Sequence, residues 1–555
     1  VMRKQDIKTK QQKYKGSITV FAALSFMLIA QFIFTMLEVS RTIEVRKALQ
    51  MNTESVLESI FANYCNPLWE EYRLLGTSVV NSDGDLSFNN VQAQLQNLTA
   101  VNLGGREKSL LAGTSLLTAK MTDANFEEFL LMTDDNGAVF QEVVCAYMKE
   151  NLTYETARTI YDNLNDMKNA KDQYGDAENS IDSARDSIKE AREEESRKQE
   201  ELQKQTEDTK KSGKDSSKKK KQLPKMKGTS GGKVRTTSSK SKKVSADETS
   251  VEMPEEEENI LDIVSETKKN GVLSLVLPSD VTLSNSAISL DSSVSHRTLE
   301  KGNAKREGSD DWYSNVLLNQ YFNNYFSCYT NQKSGHHMKY ELEYLIAGKG
   351  EDAENLRTVI KELMVVREAV NMASIVTMED KQAEALAMSV TLVGFTLNPA
   401  IIAFVKYAIL AAWAFVESVL DLRTLLQGGK IPIIKTHLTW TSNLSELPSL
   451  LSGWSKAKES STGFDYQSHM AALLFLQNNG KICMRAMDMQ EATVCSVEGY
   501  EDFKMDRVIV DAKVCATYEY SPVFLGFVTI VEKKMNNFRM QQTSHYSYLV
   551  GKEGV

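Results

Sequence analysis

Ser17-Ile18-Thr19-Val20-Phe21-Ala22-Ala23-Leu24-Ser25-Phe26-Met27-Leu28-Ile29-Ala30-Gln31-Phe32-Ile33-Phe34-Thr35-Met36-Leu37 is a run without a single charge. As a helix it would reach ~31 Å, which matches the hydrocarbon thickness of a bilayer. It is longer than the apolar part of a signal peptide, and no small-x-small cleavage pattern follows it. The run therefore predicts an uncleaved membrane anchor. Ser17, Ile18, Val20, Phe21, Leu24, Phe26, Leu28, Phe32, Phe34 and Leu37 would lie in the lipid.

The flanks set the expected orientation. Arg3, Lys4, Lys8, Lys10, Lys13 and Lys15 precede the run, with Asp6 as the only acid among them. After it, Arg41, Arg46 and Lys47 are balanced by Glu38, Glu44 and Glu54. The Lys/Arg bias puts the N-terminus in the cytoplasm and the bulk of the chain outside. A tail of residues 1–16 is too short for a signalling domain, so the work is expected on the outer face.

Working outward, no Gly or Pro interrupts the helix before Pro67. Ile43, Val45, Ala48, Leu49, Val56, Leu57, Ile60 and Phe61 recur near helical spacing, with charges between them. Residues 38–66 thus read as an amphipathic stalk. It would pack on its own domain or on neighbouring copies, and Ile43, Val56, Leu57 and Ile60 are its candidate interface with partner helices. Residues 67–203 read as a helix-rich region, with turn signals at Asp83-Gly84 and Asn136-Gly137. Ile181, Ala184, Ile188 and Ala191 mark one face of its last helix.

Residues 204–258 are low-complexity. A lysine-rich stretch with Lys218 to Lys221 is followed by the acidic run Glu255 to Glu258. Little there offsets the entropy of ordering, so a disordered charged linker is expected. A second module, 259–555, should be α+β. Val272 to Leu277 reads as a short strand. Met338, Tyr340, Leu342, Tyr344 and Ile346 alternate with polar residues and predict a half-buried strand. Asp352 is placed to cap the helix that follows. Val508, Val510, Ala512, Val514, Ala516 and Tyr518 share one face, with Arg507, Asp511, Lys513 and Glu519 on the other, and predict an antiparallel strand. The aromatic stretch from Trp312 to Tyr329 reads as core.

Residues 386–426 are long and apolar enough for a second span. Lys406 would then sit in lipid at about 2.5 kcal/mol or more. Lys406, Glu417 and Asp421 fall within about 60° on a helical wheel. Two helices buried in the outer domain, the second with a polar rim, are the preferred reading.

Chemistry is sparse. Net charge is -9, which carries no nucleic-acid signature. Cys65, Cys145, Cys328, Cys483, Cys495 and Cys515 are too few for a disulfide scaffold. One bridge among the last three and buried free thiols are both open readings. His336 and His337 are adjacent and, on a strand, would point apart, which disfavours a shared metal. Gly228-Thr229-Ser230-Gly231-Gly232 spells a nucleophile-elbow pattern, but in a lysine-rich stretch without the strand and helix it needs. Asp83-Gly84-Asp85 lacks the further ligands of a calcium loop. No catalytic residue, cofactor, metal or small-molecule ligand is expected.

Two resemblances bear on function. Lys15 to Phe21, the apolar run and Leu37-Glu38-Val39-Ser40-Arg41 together resemble the N-terminus of TadE/TadG-like pseudopilins of tight-adherence (Flp-type) pilus systems. Such precursors are cut after a Gly and carry Glu at the fifth position beyond it. Counting from Gly16, that position is Phe21, so the cleavage pattern is incomplete. Asn66 to Tyr72, Tyr340 to Lys349 and Ala412 to Ser418 resemble an uncharacterised family of clostridial membrane proteins, a DUF5702-like domain of unknown function. The anchor, the stalk helix, the outer α+β domain and the missing catalytic signature lead to the expectation of a membrane-anchored, non-catalytic surface protein, an accessory or minor component of such a pilus or a related envelope assembly. Its partners would be the lipid bilayer and pilus-assembly proteins. The alternative is an extracellular enzyme or ligand-binding module for cell-wall glycan. That reading predicts a pocket of carboxylates and aromatics within residues 260–555.

Overall fold

The computed structural model describes residues 2–81, 84–104, 119–174, 179–211, 260–269, 271–278, 280–306, 308–525 and 537–549. One 60-residue helix, α1 (Met2–Phe61), holds both the apolar run and the amphipathic segment after it. α2 (Asn66–Tyr72) begins with Pro67, whose fixed φ suits a first helical turn. β1 (Thr77–Ser78), α3 (Asn89–Gly104), β2 (Ala119–Leu131), α4 (Asp134–Asn151), α5 (Tyr154–Tyr174) and α6 (Asn179–Lys211) follow. Beyond the low-complexity segment come α7 (Ile260–Lys269), α8 (Val272–Val276), α9 (Trp312–Tyr325), α10 (Glu341–Ala347), α11 (Asp352–Ile375), α12 (Glu379–Val393) and α13 (Pro399–Leu426). α14 (Leu447–Ser452), α15 (Tyr466–Phe475), α16 (Asn479–Cys495), β3 (Val508–Tyr520) and β4 (Phe538–Ser547) close the chain.

The class is helix-rich α+β with one small antiparallel sheet. β3 is its centre and pairs with β2, β4 and the short β1. Tyr518 faces Met121 on one side and Met540 on the other. Alternate side chains of a strand share a face, and Val508, Val510, Ala512, Val514, Ala516 and Tyr518 are all fully buried. The lower half of α1 lies along this face. Val45, Leu49, Val56, Leu57, Ile60 and Phe61 form one core with Ala512, Val514, Ala516 and Tyr518.

A second, larger core joins α4, α9, α11, α13 and α16. It draws on residues from both sides of the low-complexity segment, as β2 and β3 do in the sheet. Ile181, Ala184 and Ile188 of α6 are buried in it. The helix α6 itself runs past residue 203 to Lys211. The lysine tract, the acidic run, Gly228 to Gly232 and Asp83 lie outside the described residues. All six cysteines are free thiols.

Four local expectations are corrected. Val272–Val276 is a helical turn, not a strand. A six-residue apolar run carries no period that tells the two apart. Met338 to Ile346 is not a strand either, because a helix starts at Glu341. Glu341 and Glu343 break the half-buried pattern by being buried themselves. Glu341 accepts the Ser327 N–H at 2.8 Å, and Glu343 accepts the Tyr329 N–H at 2.9 Å. Asp352 is the first residue of α11 rather than its cap. Its carboxylate instead accepts the N–H groups of Lys339 and Tyr340 at 3.0 and 3.1 Å.

The fourth concerns α12 and α13. Both are helices, and the C-terminal two thirds of α13 is buried. Asn398 caps it by accepting the Ala400 N–H at 3.0 Å, with Pro399 at the first position. Its polar stripe is not a rim, however. Glu417 and Asp421 are fully buried, as are Arg367 and Lys435 opposite them. Only Lys406 reaches the edge, where its Nζ donates to Gln382 at 2.9 Å.

Candidate functional site at the end of the apolar helix

The described apolar side chains of α1 from Ile18 to Leu37 have almost no cover. Phe21 is 73% exposed and Phe26 74%, and Val20, Leu24, Leu28 and Phe32 resemble them. Phe34 is half-buried. The side chain of Ser17 lies outside the described part. Among the described residues two helices are long and apolar enough to cross a membrane by length and composition, α1 and α13. They differ in burial: the most apolar window of α1 is 0% buried, that of α13 56%. A signal sequence and an anchor both fit α1 on that criterion.

The exposed stretch ends abruptly at Glu38, which is buried. One carboxylate oxygen of Glu38 pairs with Arg41 at 2.6 Å. The other accepts the backbone N–H groups of Val523, Phe524 and Leu525 at 3.0, 2.6 and 3.3 Å. Arg41 also donates to the Ser521 carbonyl at 3.1 Å and lies over the Tyr520 ring, 5.8 Å from its centre. Burial pushes the Glu38 pKa up, but the Phe524 and Leu525 N–H groups and Arg41 outweigh it and hold the carboxyl below its ordinary value. The chain end of β3 is thereby tied to the first charged residue after the apolar run.

Further along α1, polar contacts sew the helix to the sheet. Thr53 and Tyr518 bring their hydroxyls to 2.8 Å, and Asn52 donates to the Tyr518 oxygen at 3.2 Å. Phe61 stacks on Tyr546 with ring centres 4.5 Å apart. Of the four candidate interface residues, Val56, Leu57 and Ile60 are covered by the protein's own sheet and α3. Ile43 is 66% exposed and points away from that core. It lines a groove of 470 Å³ between α1 and the end of the sheet, together with Val39, Arg46, Tyr520, Leu525 and Phe538. Nothing in the spacing of α1 alone could have revealed this groove, since its facing wall comes from Tyr520, Leu525 and Phe538.

Three other constellations bring polar side chains together. A cleft of 340 Å³ contains Asp488, Glu491, His337 and Lys504. Beside it, Ser295 donates to Asp488 at 2.6 Å and lies 2.9 Å from Nδ1 of His296. In a nucleophilic triad the carboxylate holds the imidazole; here it holds the serine, so the relay is not assembled. A cleft of 330 Å³ is lined by the side-chain amides of Asn163, Gln320, Asn323, Asn324 and Gln467, with Asp465 and Phe464. Neither cleft pairs carboxylates with several aromatics.

The third is the buried charge cluster. Arg367 binds Asp421 at 2.7 Å, and Lys435 bridges Asp421 at 2.5 Å and Glu417. Glu417 also accepts the N–H groups of Thr441 and Ser442, both at 3.0 Å. Two cations meet two anions, so the formal charges of the set balance. His336 is buried against Glu341 at 2.6 Å, whereas His337 is exposed and reaches the Ala287 carbonyl. Among the described residues no group of three or more metal-ligating side chains occurs.

Residues 250–520 match the model of a family of unknown function (DUF5702). The match takes in α7 through β3 and leaves out α1, β2 and β4. No curated protein and no solved structure matches the chain.

Proposed function

We propose that this protein is a membrane-anchored, non-catalytic cell-surface component. It would serve as an accessory or minor part of a tight-adherence (Flp-type) pilus or a related envelope assembly. One observation carries the anchor: Val20, Phe21, Leu24, Phe26, Leu28 and Phe32 on α1 are all exposed among the described residues. Exposed apolar surface on that scale is unfavourable in water and favourable in lipid. The lysines and arginines before Ser17 give the orientation, N-terminus inside and the sheet and helical body outside. The pilus assignment rests on the resemblance of residues 15–41 to pseudopilins.

Alkaline carbonate washing of membranes tests the anchor: the intact chain stays in the pellet, and its release as soluble protein overturns the reading. Protease added to whole cells should degrade residues beyond 38 while leaving the tail. A photo-crosslinker placed at Ile43 tests the assembly. Adducts with pilus-assembly proteins support it, and their absence in piliated cells removes it.

A further inference from the structure

We propose that the body lies directly on the outer leaflet, and that the groove beside α1 seats one glycerophospholipid from that leaflet. This rests on the anchor reading above. A stalk that held the body away from the membrane would make its first contacts well beyond the apolar run. Here the first residue after the run, Glu38, already holds the backbone of Val523, Phe524 and Leu525. A helix rises about 1.5 Å per residue, so no length of stalk separates this corner of the sheet from Leu37. The described stretch that follows β3, Ser521 to Leu525, carries no charge. Tyr520 and Phe538 pair at the same corner with ring centres 5.5 Å apart. Aromatic residues at that depth suit the lipid–water boundary.

The groove continues the bare side of α1. Val39 and Ile43 are exposed and sit one and two turns beyond Thr35, which is still within the apolar run and also lines the groove. Leu525 and Phe538 supply the facing wall. These surfaces suit an acyl chain. At the upper end stands Arg46, exposed and without an ion pair among the described residues. Side chains on a helix lean toward its N-terminus, which for α1 is the membrane side. Arg46 therefore reaches back toward the headgroup layer, where a guanidinium takes a phosphate with two hydrogen bonds. Glu38 does not oppose an anionic headgroup, because Arg41 and three N–H groups occupy its oxygens.

The test uses the full chain in nanodiscs of phosphatidylcholine and phosphatidylglycerol. Two variants, Phe26→Trp and Phe538→Trp, are compared with the parent's native tryptophan emission. Phospholipids brominated near the end or near the top of the acyl chain serve as quenchers. The expected result is quenching of Phe26→Trp by the deep label and of Phe538→Trp by the shallow one. Arg46→Glu should lower the amount of phosphatidylglycerol retained in native mass spectrometry. Quenching at position 26 without quenching at position 538 overturns the proposal and leaves the anchor standing. Quenching at neither position sinks both. Unchanged phosphatidylglycerol retention in Arg46→Glu overturns the lipid seat.

Discussion

The hydroxyl of Tyr518, on the central strand, lies 2.8 Å from that of Thr53 on α1. Both residues are buried, and Asn52 donates to the same phenol oxygen. Helix and sheet thus share a polar seam inside an apolar interface. Thr53 gives its own hydroxyl proton to the Leu49 carbonyl at 2.7 Å, so the phenol donates to Thr53. Tyr518→Phe keeps the shape of the ring but removes that donor and the acceptor of the Asn52 N–H. It should cost about 1–2 kcal/mol, read as a lower urea midpoint with an unchanged slope.

Lys435 and Arg367 together balance Glu417 and Asp421 in a site closed to water. Lys435→Met leaves an unpaired buried carboxylate and should destabilise by about 3–5 kcal/mol. Adding Glu417→Gln restores charge balance and should recover part of that loss. A double variant no more stable than Lys435→Met would show that charge balance is not what holds this cluster.

Glu343 should make stability fall as pH rises. Burial lifts its pKa to about 7 from an ordinary 4.5, so the folded chain holds a proton there that the unfolded chain releases. Stability is then full below about pH 4.5 and declines until pH passes about 7. Glu343→Gln mimics the protonated form, so its melting temperature relative to the parent should climb across that window. His469 acts at lower pH with the opposite sign. Burial first, and then Arg367, lower its pKa to about 4. The unfolded imidazole binds its proton first, so acidification from about 6.5 to 4 destabilises. His469→Gln should flatten that loss.

Gly137 follows Asp135 and Asn136, all three with positive φ, in the turn that opens α4. A Cβ at Gly137 would stand 2.7 Å from the Cβ of Cys483 on α16. Left-handed strain and the clash add together, so Gly137→Ala should lose about 2 kcal/mol or more. Gly499 also has a positive φ but has open space around it. Gly499→Ala should cost about 1 kcal/mol, and equal losses at the two positions in thermal melts would rule out the clash.

Ile60 was readable as an interface residue, and an interface it is, but with the chain's own sheet. Helical periodicity reports that a face is covered and is silent on the covering partner. The same limit explains Glu417 and Asp421. A narrow polar stripe on an apolar helix reads as a rim unless Arg367 and Lys435, which lie 54 and 14 residues from Asp421, are known to meet it. Glu341 and Glu343 show the same limit: alternation equates polar with outward, and their backbone donors come from Ser327 and Tyr329.

The amino-acid order alone determined what local forces decide. A charge-free run long enough for a bilayer, the helix that continues it, and the apolar residues at every second position from Val508 to Tyr518 need no distant partner to be recognised. Tertiary structure alone decided that β2 and β3 join across nearly four hundred residues. It also placed four buried charges together and bound Glu38 to the far end of the sheet. Those contacts depend on loop closure and on burial, which place residues together by the packing of whole elements, so no spacing along the chain encodes them.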